Sequence, residues 1–124
     1  MTTMTSQHPS QADPVNLAIV DNAVHRAEGL AAADPTNPLA DGVAAELAEH
    51  LLALIPQAEY RLTRMPERTP AQRRARDVLA DSIRHAHSVH HDEDHDRFSN
   101  PAARLYLLSG ACQLMKHAMV PSAW

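Results

Sequence analysis

Apolar residues recur at steps of three and four along this chain, and the longest such pattern, Leu39 to Met65, organises the rest. Val43, Leu47, Leu51, Leu54, Ala58, Leu62 and Met65 form one stripe, widened by Ala44, Ala48, Leu52 and Ile55. Glu46, His50, Gln57, Arg61 and Arg64 form the polar back. Pro56 lies inside the pattern, where proline removes a backbone hydrogen bond and clashes with the preceding turn at a cost of about 3 kcal/mol. The helix must kink or split there. A kink is favoured because the stripe keeps its phase across Pro56 and Ile55 is a poor N-cap.

A capping residue followed by proline occurs at Asp13-Pro14, Asn37-Pro38, Thr69-Pro70 and Asn100-Pro101, which predicts four helix starts. Thr69 with Gln72 makes a capping box. The first helix places Leu17, Val20, Val24, Ala27 and Ala31 on one face, with Asn16, His25 and Glu28 elsewhere, and ends at Asp34-Pro35. The third runs from Pro70 to about His91 with a face of Ala75, Leu79, Ser82, Ala86 and Val89, flanked by Val78 and Ile83. A polar linker, Asp92 to Ser99, leads to the fourth, Pro101 to about Val120. There Leu105, Leu108, Cys112, Met115 and Met119 face one way, Leu107, Ala111, Leu114 and Ala118 lie beside them, and Tyr106, Ser109, Gln113 and Lys116 form a polar strip. Gly110 weakens this helix, so its expected use is a close backbone contact. The expectation is an all-α, four-helix bundle-like single domain over residues 13–120 with a kinked central helix, a disordered tail at 1–12 and a short tail at 121–124.

Composition sharpens this picture. Hydrophobic residues make up 44% of the chain but aromatics only 3%, so the core must be built by closely approaching helices rather than by large rings. A single cysteine, Cys112, forms no internal disulfide, and no leader or membrane-length apolar run is seen, so a cytoplasmic location without a membrane partner is expected. The net charge of -4 argues against a generic nucleic-acid binder. The broad apolar faces of the second and fourth helices leave surface for a protein partner or a homodimer.

Three features bear on chemistry. His87, His90, His91, Asp94 and His95 lie in a His/Asp-rich segment at 85–96; His87 and His91 stand one helical turn apart, a spacing that suits Zn or Ni with a carboxylate from the following loop. The bland reading is a solvated helix end. Arg61, Arg64, Arg68, Arg73, Arg74 and Arg76 cluster at the corner between the second and third helices, where they can meet an anion, a nucleic-acid backbone or an acidic partner. Their bland reading is a charged exterior. Cys112 falls in an apolar stripe and reads as an inert buried thiol, since His117 is five residues on and faces elsewhere. There is no Gly-rich phosphate loop and no serine nucleophile elbow, so no catalytic or cofactor-binding residue is assigned. Glu46, Glu49, Glu59 and His50 stay open as general acids should they line an inter-helix cleft.

The stretch His50-Leu51-Leu52-Ala53-Leu54-Ile55-Pro56, followed by Glu59, the Arg-rich turn and the Ala-Arg-Leu pattern at Ala103 to Leu105, resembles a group of small actinobacterial helical proteins. These carry a domain of unknown function, are found chiefly in streptomycetes and are often labelled natural product biosynthesis proteins. The resemblance covers Leu39 to about Met119 and implies a compact helical protein encoded near specialised metabolism. It brings no catalytic residue or ligand. The functional expectation is a non-enzymatic accessory or regulatory protein-interaction module, with a metal-binding protein centred on the histidine segment and a nucleic-acid-binding regulator using the arginines as alternatives.

Overall fold

The computed structural model describes residues 16–118, which form α1 (Leu17–Ala33), α2 (Pro38–Arg64), α3 (Pro70–Asp94) and α4 (Pro101–Ala118). The four helices pack into an all-α bundle, with no strand among the described residues. The expected start at Asp13-Pro14, the tails at 1–12 and 121–124 and the last residues of the fourth helix lie outside the described residues.

Three of the four expected starts are capped as their sequence implies. Asn37 Oδ1 accepts from Leu39 N at 2.8 Å, and Asn100 Oδ1 accepts from Ala103 N at 2.8 Å. Thr69 and Gln72 exchange both bonds of the capping box at 3.1 Å. The first helix differs. Its cap is Asn16, whose Oδ1 accepts from Ala18 N at 3.0 Å, so the helix begins at Leu17 rather than beside Asp13. Asn16 reads as one more polar-face residue until the break in periodicity before it is given weight.

α2 runs unbroken through Pro56, which excludes the split. The orphaned Leu52 carbonyl lies on an exposed stretch of helix, Leu52 to Ala53, where water can satisfy it. α3 extends three residues beyond His91 and ends in a Schellman cap: Arg97 N donates to Asp92 O at 2.9 Å and Asp96 N to Glu93 O at 3.3 Å. Asp96 occupies the left-handed position at φ 52, usually taken by glycine.

α2 and α4 are the two central helices, with α1 and α3 on their flanks; each central helix packs against both flanks and against the other. Leu47, Leu51, Leu54, Leu105, Leu108 and Met115 are fully buried between them and their neighbours, each worth about 1.5–3 kcal/mol of transfer free energy. Two contacts set the register of this central pair. Arg104 reaches Asp41, 63 residues earlier, and Cys112 Sγ donates to the Leu47 carbonyl, 65 residues earlier, at 3.5 Å. The two helices therefore run parallel, and Ala118 comes level with about Leu54. α1 runs the other way and pairs Arg26 with Glu46, so its first residue lies at nearly the same level. Past that level only the α2–α3 hairpin continues among the described residues, by about ten residues of α2 or roughly 15 Å.

Several side chains sit where periodicity alone does not put them. Ser109, expected on the polar strip of α4, is buried and donates its hydroxyl to Leu105 O at 2.5 Å. Leu52, Val78, Leu107 and Leu114, expected to widen apolar faces, are 41–56% exposed. The close backbone contact expected at Gly110 is not seen: a Cβ built there meets nothing within 4 Å among the described residues. Phe98, in the linker, packs against the core. No described helix is long and apolar enough to cross a membrane.

Candidate functional site: the arginine corner

The overhanging α2–α3 hairpin carries all six arginines of the corner. Two of them serve the backbone. Arg76 Nη1 donates to Leu62 O at 2.6 Å, which also accepts from Met65 N at 3.3 Å, and to Met65 O at 3.4 Å, reinforcing the C-terminal turn of α2. Arg73 Nη1 donates to Glu67 O at 3.3 Å and Arg68 O at 3.5 Å, tying down the inter-helix loop. These bonds give a fold-level reason for cations in the first turns of α3, where the helix dipole alone disfavours them. Arg68 and Arg74 are exposed.

Arg61 and Arg64 belong to a cleft of about 660 Å³ between the end of α2 and the start of α3. Its apolar wall is Met65, Pro66, Ala71 and Ala75, with Tyr60 and Gln72 at the edges, and no acidic side chain is among the described residues that line it. The Arg64 guanidinium lies 5.3 Å from the Tyr60 ring centroid, a cation–π pair at helical spacing. Thr69 Oγ1 takes the Gln72 amide and Pro70 has none, so the Ala71 amide is the first-turn donor of α3 that remains for a visitor. The cleft thus combines cationic and N–H donors with an apolar floor, which suits an anionic group attached to an apolar body.

The histidine segment is arranged differently. His87 Nε2 lies 3.1 Å from Glu59 Oε2, bridging α3 to α2 on an exposed surface. His95 Nδ1 bonds the His91 carbonyl at 2.9 Å, and the two rings stand 4.1 Å apart between centroids. His90 is half-buried and Asp94 exposed. Among the described residues no group of three His, Cys, Asp or Glu side chains converges as a metal requires. The segment's visible work is to end α3 through the Asp92 and Glu93 carbonyls.

The candidate acids are already engaged. Glu46 accepts two bonds from Arg26 Nη2, each 3.0 Å, and lies 3.1 Å from His50 Nε2. Burial pushes its carboxyl up, but the hydrogen bonds from Arg26 and His50 and their charges outweigh this and hold it below the usual carboxylate range. Such a group stays ionised near neutrality. Glu59 faces His87, and Glu49 is exposed. Burial pushes the Cys112 thiol up to about 12, which makes it unreactive.

Arg104, at the opposite end of the bundle, was legible only as part of the Ala103 to Leu105 pattern. Its Nε and Nη2 grip the two oxygens of Glu93 at 2.8 and 2.7 Å while Nη1 reaches Asp41, joining α2, α3 and α4. The hydrogen bonds that it donates to Glu93, ahead of that to Asp41, raise its affinity for its proton against the effect of burial. A groove of about 500 Å³ also runs between α1 and α2, where Gly29 and Gly42 lie beside Leu30, Leu39 and Val43. It offers a shallower and less cationic surface than the arginine cleft.

No family model matches this chain, and comparison with curated proteins and with solved structures finds no match either.

Proposed function

We propose that the chain is a non-enzymatic interaction module of accessory or regulatory type that holds a protein partner through the arginine corner. The observation that supports this is the cleft itself: about 660 Å³, bounded by Arg61 and Arg64 and floored by Met65, Ala71 and Ala75. A partner that fits it presents an acidic side chain next to an apolar one, the acid meeting the guanidinium groups and the Ala71 amide, the apolar group lying against Met65 and Ala75. Arginine suits such a site because its planar fork binds carboxylates in two places and stacks on rings. A role beside specialised metabolism belongs to the same proposal and rests on the sequence resemblance.

The test is fluorescence anisotropy of the full chain with a labelled hexapeptide alternating Glu and Leu, alongside its Lys/Leu counterpart and a short DNA duplex. The expected result is binding of the acidic peptide alone, at least tenfold weaker in Arg64→Glu and unchanged in Arg84→Gln on the exposed side of α3. Indifference to Arg64→Glu overturns the proposal. Stronger binding of DNA, with a steep loss on adding salt, replaces it with a nucleic-acid-binding role.

A further inference from the structure

Most polar groups around the arginine cleft are already engaged. Gln72 Oε1 accepts from Arg68 N and Thr69 N, and Thr69 Oγ1 accepts from Gln72 N. Arg73 and Arg76 are tied to loop and helix-end carbonyls. Arg64 differs. Its guanidinium carbon stands 5.3 Å from the Tyr60 ring centroid, and the group forms no hydrogen bond or ion pair among the described residues. Tyr60 and Arg64 are both exposed, one turn apart on α2, while Met65 is half-buried below them. The α3 side of the cleft brings the methyl groups of Ala71 and Ala75, also one turn apart.

A guanidinium held in this way offers two things at once. The N–H fork in its plane meets a carboxylate, and the face turned away from Tyr60 meets a second π system; an ammonium has neither fork nor plane. Resting on the reading of this cleft as the seat of an acidic and apolar partner segment, we infer that the apolar group is an aromatic side chain. Its ring lies between Arg64 and the Ala71 and Ala75 methyl groups, and the acidic residue next to it bonds the Arg64 fork. Alanine at both α3 positions leaves a gap that a flat ring fills. Tyr60 holds Arg64 before the partner arrives, so less side-chain freedom is lost on binding. No acidic side chain among the described lining residues competes for the cation. Contact with a partly desolvated guanidinium favours a ring over an aliphatic group of the same size by about five- to tenfold.

The test compares three labelled hexapeptides on the full chain, alternating Glu with Phe, with cyclohexylalanine or with Leu. Cyclohexylalanine matches phenylalanine in size but has no π face. The expected result is that the Phe peptide binds at least fivefold tighter than the cyclohexylalanine peptide and shifts the Ala71 and Ala75 methyl resonances upfield by its ring current. Arg64→Lys keeps the charge and removes the plane; it should abolish the preference for Phe while the acidic peptides still bind, and Arg84→Lys on the exposed side of α3 should leave the preference intact. Equal affinity for the Phe and cyclohexylalanine peptides overturns the inference and leaves the acid-binding reading standing. A preference that survives Arg64→Lys, or ring-current shifts confined to another surface, overturns it as well. Binding of none of the three peptides removes both readings.

Discussion

Replacing Arg104 with Met keeps its aliphatic stem but removes the guanidinium that joins three helices. The two acids it holds are in different surroundings: Glu93 is 16% exposed, Asp41 86%, and Arg104 itself 24%. Exposed pairs contribute about 0–1 kcal/mol, so the Asp41 arm adds little. The Glu93 arm is bidentate and largely withdrawn from water. Stranding one member of a fully buried pair costs about 3–5 kcal/mol. With residual solvent at both ends the cost here is set at about 2 kcal/mol. For a domain of this size each 1 kcal/mol lowers Tm by about 4–8 °C, so a fall on the order of 10 °C is expected in a thermal melt followed by circular dichroism. A double-mutant cycle with Glu93→Gln isolates the pair, with an expected coupling of about 1.5 kcal/mol, while Asp41→Asn costs under about 0.5. A coupling below about 0.5 kcal/mol, or an Asp41→Asn cost equal to that of Arg104→Met, refutes the assignment of the staple to Glu93.

Four further outcomes are expected. Pro56→Ala restores a backbone donor inside a continuous helix at an exposed position and should raise stability by about 1–3 kcal/mol in urea unfolding; a loss would mean that the bundle depends on a bend there. Gly110→Ala fills open space on α4 and should stabilise by about 0.8–1 kcal/mol, and destabilisation would reveal a neighbour pressed against that face. Glu46 is held below its ordinary value of 4.5, so its contribution is complete above that value and disappears as pH falls through the lower folded one; Glu46→Gln should flatten the acid limb of the stability profile, and an unchanged limb would discount the Arg26 and His50 contacts. Cys112, with its thiol pushed up to about 12, should label with iodoacetamide at neutral pH only as fast as the bundle opens, and rapid stoichiometric labelling of the native protein would contradict its burial.

Much of the fold is written in local signals. Asn37, Thr69 and Asn100 each supply an oxygen at the right distance from a proline at N1, and such caps are readable because they involve only neighbouring residues. The core stripe of α2 survives from sequence to structure for the same reason, with Leu47, Leu51 and Leu54 fully buried. What escapes is whatever the residue type itself does not announce. Ser109 satisfies its own hydroxyl on the Leu105 carbonyl, so a polar residue enters the core unannounced. The segment 85–96 reads as metal donors through His87, His90, His91, Asp94 and His95, yet the backbone at its end closes a helix through the Asp92 and Glu93 carbonyls, a job that the side-chain types do not advertise. The arginine corner is the instructive mixture. Its charge is plain in the sequence, but only packing divides it into Arg73 and Arg76, spent on carbonyls, and Arg61 and Arg64, which line the cleft with Tyr60, Met65, Gln72 and Ala75. One hint was available: Tyr60 and Arg64 are four apart on one helix, the spacing at which a ring and a guanidinium meet.

The parallel pairing of α2 with α4 also carries a message about time. Leu47 and Cys112 are neighbours in space but 65 residues apart in the chain, and α4 touches all three earlier helices. The apolar stripes of α1, α2 and α3 have no central partner until the last helix joins them. The α2–α3 hairpin, whose cap and loop bonds are local, closes without it. The bonds of the arginine corner thus need no other helix, whereas the core becomes one cooperative unit only when α4 is in place.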